Sequence, residues 1–396
     1  MMNTAPIQRD LVLVGGGHAT IQVLRSFGMN PIEGVRVTLI TDVLKAPYSG
    51  MLPGFVEGIW SEDNIMFDLA ALSAFAGARL IHSAITHIDV EEKIVILQSA
   101  APVSYDIISV NTGAVPDTSN IAGAQEHALR VKPIAGFLHN LPKIDKITDD
   151  LAIIGAGAAG SELALALRAR MTASTQRPNI HLIGRAANVL PRHPSAVSRI
   201  MKQALDKANI TSHLGSAVRA IDKQAVTLEN GAVIPAKICL MVTAARPADW
   251  VSGLPVARDE RGFLAVTSRL HLPDRPDFFA AGDIASVIGY EREKAGVFAV
   301  RAGPVLVHNL RAALTGKSFI SWRPQKRYLA LIGLANGHAL AVRGSLVSSG
   351  AMWLRLKHWI DKRFMDKFTD LPLMQVAPPR TLPALQNSDT TASHAD

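Results

Sequence analysis

The sequence predicts an α/β chain containing two doubly wound, three-layer units. Three observations predict it. The apolar run Leu11-Val12-Leu13-Val14 leads into Gly15-Gly16-Gly17-His18-Ala19-Thr20 and then a helix-forming stretch. The same order recurs 140 residues later, where Leu151-Ala152-Ile153-Ile154 leads into Gly155-Ala156-Gly157-Ala158-Ala159-Gly160 and Ser161-Glu162. Each helical stretch is followed by a second apolar run, Val35–Ile40 and Ile180–Ile183. Strand, glycine turn, helix and strand in that order make a parallel βαβ unit.

Each loop has the chemistry of a Rossmann-like phosphate cradle. The first glycine permits the tight turn out of the strand. The second lets backbone approach a pyrophosphate, and the third lets helix and strand close together. The phosphates then lie at a helix N-terminus, against unpaired N–H groups and the positive end of the dipole. The second loop has all three glycines, at 155, 157 and 160, with Ala158 opening its helix. The first has Gly15 and Gly17 but Thr20 in the third place, which is expected to loosen the packing of helix on strand. Two such loops imply two dinucleotides, an electron donor beside an electron carrier.

The remaining elements follow in order. The first helix is expected to run to about Phe27, and the strand at 35–40 ends in Thr41-Asp42. An acid some 20–25 residues beyond the loop commonly holds an adenosine ribose, which makes Asp42 a candidate. Lys45-Ala46-Pro47-Tyr48-Ser49-Gly50-Met51-Leu52-Pro53-Gly54 is too rich in Pro and Gly for regular structure and is expected to be a functional loop. Strands are expected at 92–98 and 105–110, the latter running into Asn111-Thr112-Gly113-Ala114-Val115-Pro116, and Pro142–Asp150 is expected to be a linker. The strand at 180–183 ends in Gly184-Arg185, with Arg192 further on. An NAD site carries an acid at the strand end, whereas an arginine suits a 2′-phosphate, so NADPH is favoured over NADH. Thr243-Ala244-Ala245-Arg246-Pro247 echoes the 112–116 segment, so both are expected to mark crossings between domains. The run Asp277-Phe278-Phe279-Ala280-Ala281 ends in Gly282-Asp283, a carboxylate at the C-terminal edge of a parallel sheet, where ligands bind.

Composition narrows the function. A chain of 396 residues holds two to three domains at about 150 residues each. With 48% hydrophobic and 19% charged residues it is an ordinary globular composition. No apolar run reaches the ~18 residues of a membrane span, and Met1–Asp10 lacks the features of a secretory signal, so the expected location is cytoplasmic, at most peripheral on the inner membrane face. The single cysteine, Cys239, excludes an intramolecular dithiol and is expected to be a buried strand residue. No metal site is indicated. The charge of +8 is dispersed and accompanies no nucleic-acid motif, so no nucleic-acid partner is expected.

Taken in order, the incomplete loop, the Thr-Gly-x-x-Pro crossing, the complete loop with its trailing Glu162 and the Gly-Asp pair resemble the pyridine nucleotide–disulfide oxidoreductase superfamily over about residues 8–340. The resemblance implies an FAD domain split in sequence around an inserted NAD(P) domain. Residues 1–116 and 246–315 would form the former and 117–245 the latter, with a linker at 117–150. A small α+β region, 316–376, and a disordered tail, 377–396, would follow. By the same resemblance FAD is held by Gly15, Gly17, His18, Ala19, Asp42, Lys45, Pro47, Thr112, Gly113, Gly282 and Asp283, the last on the ribityl chain. A helix opening at Gly296-Val297-Phe298 points its N-terminus at the flavin and stabilises its reduced anion. NAD(P) is held by Gly155, Gly157, Ala158, Gly160, Glu162, Arg185 and Ala245, with Glu162 near the carboxamide. The chain lacks the cysteine pair of the disulfide reductases and is most similar to type II NADH dehydrogenase-like proteins and to a group sometimes fused to selenide,water dikinase.

These features imply an FAD-dependent NAD(P)H oxidoreductase that passes hydride from nicotinamide to flavin and electrons to a small-molecule acceptor, a quinone first. A soluble reductase of a protein or selenium-related acceptor, or a slow redox-sensing protein, are the alternatives. Lys45, Tyr48 and Glu162 are the candidate proton-holding groups. Residues 350–368 carry five Lys/Arg against two Asp and are expected to form an amphipathic helix. Met352, Trp353, Leu356, Trp359, Ile360 and Phe364 share one side, interrupted by Arg363 and Lys367, with Arg355, His358 and Lys362 opposite. Aromatics with snorkelling basic residues suggest a helix lying on a membrane surface. Packing of the helix on its own domain, or a dimer interface, are the other uses for such a face.

Overall fold

The computed structural model describes residues 6–171, 178–243 and 245–372, so the tail expected to be disordered, and Ala244, lie outside it. Its largest sheet has six strands in the order His271–Leu272, Arg275–Ala280, Ile107–Val110, Arg9–Val14, Val35–Thr41 and Arg79–His82. All neighbours are parallel except the edge pair at 271–280. Strands distant in sequence therefore share one sheet, with Leu13 between Leu39 and Ser109. Parallel strands covered on both faces must be apolar throughout, and Leu11, Val12, Leu13 and Val14 are all buried.

A second, wholly parallel sheet has the order Ala128–Arg130, Ile238–Met241, Leu151–Ile154, Ile180–Gly184 and Ile210–Leu214. Cys239 is buried in its second strand. The two segments that echo each other in sequence meet in space: Val115–Pro116 pairs antiparallel with Ala245–Arg246. The chain leaves the first unit and returns to it along one two-stranded ribbon.

The helices His18–Met29 and Gly296–Thr315 pack side by side. Gln22 Nε2 donates to the carbonyls of His18 and Val300, both at 2.9 Å, and a Cβ at Gly303 would stand 2.1 Å from that nitrogen. The C-terminal part is a three-stranded antiparallel sheet, Ala330–Gly333, Ala339–Arg343 and Leu346–Gly350, followed by the helix Ala351–Thr369.

Three expectations are corrected. The segment 45–54 is regular: Lys45–Pro47 pairs with Met66–Asp68, Ser49–Met51 is a 3-10 turn and Leu52–Glu57 is a helix. Pro53 lies in the first turn, where its missing N–H costs no bond, and Gly58 ends the helix at φ +89°. The expected linker contains an edge strand and the helix Ile134–Ile144, which runs through Pro142 because Ile134, Phe137, Leu141 and Ile144 form a buried face. Finally, the aromatic stripe of the C-terminal helix divides. Phe364 is buried with Met365 and Phe368, while Met352 is 66% and Trp359 56% exposed. The core-facing row has the heptad spacing of Lys357, Asp361, Phe364 and Phe368, which apolar counting alone overlooks.

Candidate functional site

The first glycine loop is organised by a residue to which the sequence gives no role. Asn111 ends the strand Ile107–Val110. Its Oδ1 accepts from the N–H groups of Ala19 and Thr20 at 3.1 and 3.2 Å, and its Nδ2 donates to the Ala281 carbonyl at 2.5 Å. A Cβ at Gly17 would lie 2.3 Å from Asn111 Oδ1, and one at Gly282 2.4 Å from Nδ2. Gly15, at φ +88°, passes so close to this strand end that a Cβ would lie 2.7 Å from the Asn111 carbonyl oxygen. The loop, the crossing and the Gly-Asp pair are thus three sides of one cradle closed around an amide. The signal for Asn111 was its place between an apolar strand and Thr112-Gly113.

The third glycine position separates the two loops. A Cβ at Gly160 would stand 1.9 Å from the Gly155 carbonyl oxygen, so helix and strand close there only on glycine. Thr20 is fully buried at the matching place, with its hydroxyl unpaired.

Around the cradle the sequence-predicted residues are distributed unevenly. His18, at the start of the first helix, has a buried Nε2 without a hydrogen-bond partner. Burial lowers its pKa to about 4, with Asp283 opposing and Lys132 adding to the shift, so the ring is neutral at pH 7. The Asp283 carboxylate accepts from Lys132 Nζ at 2.8 Å. Burial alone would push Asp283 up, but the charge and hydrogen bond of Lys132 hold it below the ordinary carboxylate value. Asp42 is exposed at the end of its strand. Lys45, more than half exposed, faces Asp63 at 3.6 Å. Pro47 is held in the short strand pair, and Thr112 and Gly113 follow Asn111 at the rim, Gly113 at φ +78°. The last long helix of the first unit opens at Gly296, where a Cβ would lie 3.5 Å from Ser49 Oγ, so its N-terminus meets the 45–54 segment. Val297 is half-buried, and Phe298 is buried against Tyr328.

The residues fit a flavin dinucleotide. Glycines at 15, 17 and 282 let the backbone close on Asn111, the first helix has no acidic residue in its opening turn, and the buried Nε2 of His18 has no hydrogen-bond partner.

In the second loop Gly155, at φ +125°, passes within contact of the next strand end, where a Cβ would meet the Val242 carbonyl oxygen at 2.4 Å. Gly157 has open space where its Cβ would be, and Ala158 begins the helix. At Gly184 a Cβ would lie 2.6 Å from Ala156 Cβ, so the strand end cannot take an acidic side chain. Arg185 is exposed beside it, and Ala245 lies in the crossing ribbon.

Between the two units lies a buried charge cluster. Glu162 Oε1 accepts from the Gly333 N–H at 2.6 Å, and burial raises its pKa against the pull of Lys357. Lys357 Nζ donates to the Gly50 carbonyl at 2.7 Å and to Asp361 Oδ2 at 3.0 Å. Asp361 faces Tyr48, and burial first and Asp361 second push the Tyr48 phenol up. The Tyr48 ring also contacts His18 at 5.2 Å and Phe364 at 5.1 Å between centroids. The C-terminal helix thereby brings a lysine and an aspartate to the 45–54 segment and to the trailing Glu of the second loop.

Comparison with known proteins agrees with this arrangement. Residues 9–309 match the pyridine nucleotide-disulphide oxidoreductase family. The NADH dehydrogenase-like protein YutJ of Bacillus subtilis is 25% identical, over 88% of this chain and 99% of its own length. Demethylphylloquinone reductase NdbB of Synechocystis is 23% identical, over 69% of this chain and 71% of its own. Among solved structures, the sulfide:quinone oxidoreductase of Aquifex aeolicus superposes with a TM-score of 0.76 at 18% identity, covering 92% of each chain. The overall fold is shared with the last of these, and the chain belongs to the pyridine nucleotide-disulphide oxidoreductase family as an NAD(P)H-dependent flavoprotein oxidoreductase.

Proposed function

We propose that this enzyme takes electrons from NADPH through FAD to a quinone at a membrane surface. The observation that carries the acceptor is the cysteine inventory. The only cysteine in the sequence, Cys239, is buried in the second sheet, where burial pushes its thiol up to about 12. A disulfide relay within the chain is therefore impossible, and an acceptor that meets the flavin directly is needed. The curated relative named as a demethylphylloquinone reductase supports a quinone.

Bound FAD would supply the redox chemistry, accepting a hydride from nicotinamide and releasing electrons to the acceptor. The protein residues position and tune. Gly15, Gly17 and the helix start at His18 receive the pyrophosphate, and Asp283 accepts from the ribityl chain. Gly155, Gly157 and the helix start at Ala158 receive the nicotinamide dinucleotide. The small Gly184 and the exposed Arg185 favour a 2′-phosphate over a free hydroxyl. Tyr48, within the 45–54 segment, and Glu162, both half-buried, are the groups that hold protons for the acceptor. Lys45, exposed and paired with Asp63, is left as a contact to the flavin dinucleotide rather than a proton-holding group.

The outer face of the C-terminal helix supports docking at a lipid surface. Met352, Trp359 and Ile360 are exposed among Arg355, Arg363 and Lys367. No helix among the described residues is long and apolar enough to cross a membrane.

The test is anaerobic titration of the purified holoenzyme with NADPH and with NADH, followed by a short-chain quinone. The flavin absorption should bleach with NADPH, and quinone should restore it at well over about one turnover per second. Absence of bound flavin, or reoxidation only by disulfides, would refute the proposal.

A further inference from the structure

Among the described residues, Lys132 is the one basic side chain of the inserted unit that bonds the Asp283 carboxylate of the first cradle. It lies between the edge strand Ala128–Arg130 of the second sheet and the helix Ile134–Ile144. Its Nζ meets Asp283 Oδ2 at 2.8 Å, across 151 residues of sequence. The pair is asymmetric: the Asp283 side chain is 15% exposed and that of Lys132 40%. The largely buried carboxylate is therefore compensated from its more open side by the lysine.

The surroundings show what the pair faces. Three basic side chains from three separate segments lie near one carboxylate: His18, Lys132 and Lys294. Lys294 is committed elsewhere, donating to the Ala285 carbonyl at 2.6 Å and lying 3.8 Å above the Phe263 ring. His18 is neutral, with Nε2 unpaired. Among the described residues Lys132 alone bonds the carboxylate, and Oδ2 is the atom it takes, while no hydrogen bond from them occupies Oδ1. A cleft opens at this point, lined by Ala281, Gly282, Asp283, Ser286 and Phe298.

We propose that Lys132 is a positioning residue for FAD: it holds the Asp283 carboxylate ionised and oriented so that its free oxygen accepts from the flavin's ribityl hydroxyl. Lys132 belongs to the inserted unit, so flavin retention then depends on how that unit is seated. The inference rests on FAD being the carrier in the first cradle.

The experiment compares wild type, Lys132→Arg, Lys132→Gln and Lys132→Met by reconstituting flavin-free protein with FAD and following quenching of flavin fluorescence. The Met and Gln variants should bind FAD at least about tenfold more weakly, the loss expected for a charge-assisted hydrogen bond, and Arg should restore most of the affinity. Without the ammonium, Asp283 protonates at higher pH, so FAD affinity of the Gln variant should decline as pH falls over a range where wild type is flat. A role confined to packing would leave that profile unchanged. Thermal unfolding of each flavin-free variant identifies any that fail to fold, and the Gln variant, closest in shape and polarity, carries the test if Met does not. Affinity within twofold of wild type and an unaltered pH profile in the folded neutral variants would overturn the inference. Failure of wild type itself to take up FAD would instead overturn the reading on which it rests.

Discussion

Asn111 Nδ2 donates to the carbonyl of Ala281, 170 residues away, and so closes the first cradle with a single side chain. The same amide accepts from Ala19 and Thr20. Asn111→Ala would strand two N–H groups and one carbonyl in a buried site, at about 1–3 kcal/mol for each unsatisfied group. We predict a loss of at least about 3 kcal/mol in urea unfolding and a marked loss of bound flavin. Gly282→Ala, which adds only a methyl, should reproduce the flavin loss because that methyl meets the Asn111 amide and the φ of +75° disfavours it. Flavin content unchanged in both variants would contradict this account.

The C-terminal helix should respond strongly to single charge removals. Lys357 and Asp361 are 14% and 9% exposed, and each is the other's main compensation. Removing one partner of a buried pair costs about 3–5 kcal/mol, whereas replacing both with apolar residues is often near neutral. Lys357→Met alone should therefore be much less stable than Lys357→Met with Asp361→Leu, measured by thermal unfolding. Equal stability of the two would show that the pair is not coupled.

Coenzyme preference should follow Arg185. Arg185→Ala is expected to raise KM for NADPH by about tenfold, the value of one charge-assisted contact, with little change for NADH. Gly184→Asp should not produce an NADH enzyme, because its Cβ would collide with Ala156 before the carboxylate could reach a ribose. Steady-state kinetics with both coenzymes tests the pair.

Acid should act through His18. Its pKa in the folded protein, about 4, lies below the ordinary 6.5, so the folded state disfavours the proton. The unfolded chain binds more protons between these values, and stability falls as pH drops from 6.5 towards 4, by at most about 3 kcal/mol. Glu162 and Asp361, which burial raises, act with the opposite sign. The difference between flavin-free wild type and His18→Leu isolates the histidine: the variant's stability should vary less over that range, as read by urea midpoints.

Membrane docking should depend on the outer row of the last helix. Met352→Glu with Trp359→Glu removes two exposed apolar side chains and lowers the net charge of the 350–368 segment from +3 to +1 without touching the buried row. Flotation with anionic vesicles should capture wild type and lose the double variant, while NADPH still bleaches the flavin in both. Equal flotation would remove this helix from the interface.

How much of this was legible in the sequence can be judged from particular residues. Gly15, Gly17, Gly155 and Gly160 were visible because a tight turn and a close helix leave only glycine, a local requirement written in consecutive residues. The apolar runs at 11–14 and 151–154 revealed parallel strands because burial on both faces leaves no room for alternation. The 45–54 segment was misread because Pro and Gly mark turns in general, yet Pro53 occupies the one helical turn that tolerates it. Asn111 passed unnoticed because its partners, Thr20 and Ala281, lie 91 and 170 residues away.

The sequence by itself determined the two Rossmann-like units, their order and the absence of a thiol pair, since these depend on short-range sterics and on counting. Tertiary structure alone decided which charges meet: Lys132 with Asp283, and Lys357 with Asp361, Tyr48 and Glu162. Such meetings depend on how sheets and helices stack over long chain separations, and a buried charge declares its role only through the groups that surround it.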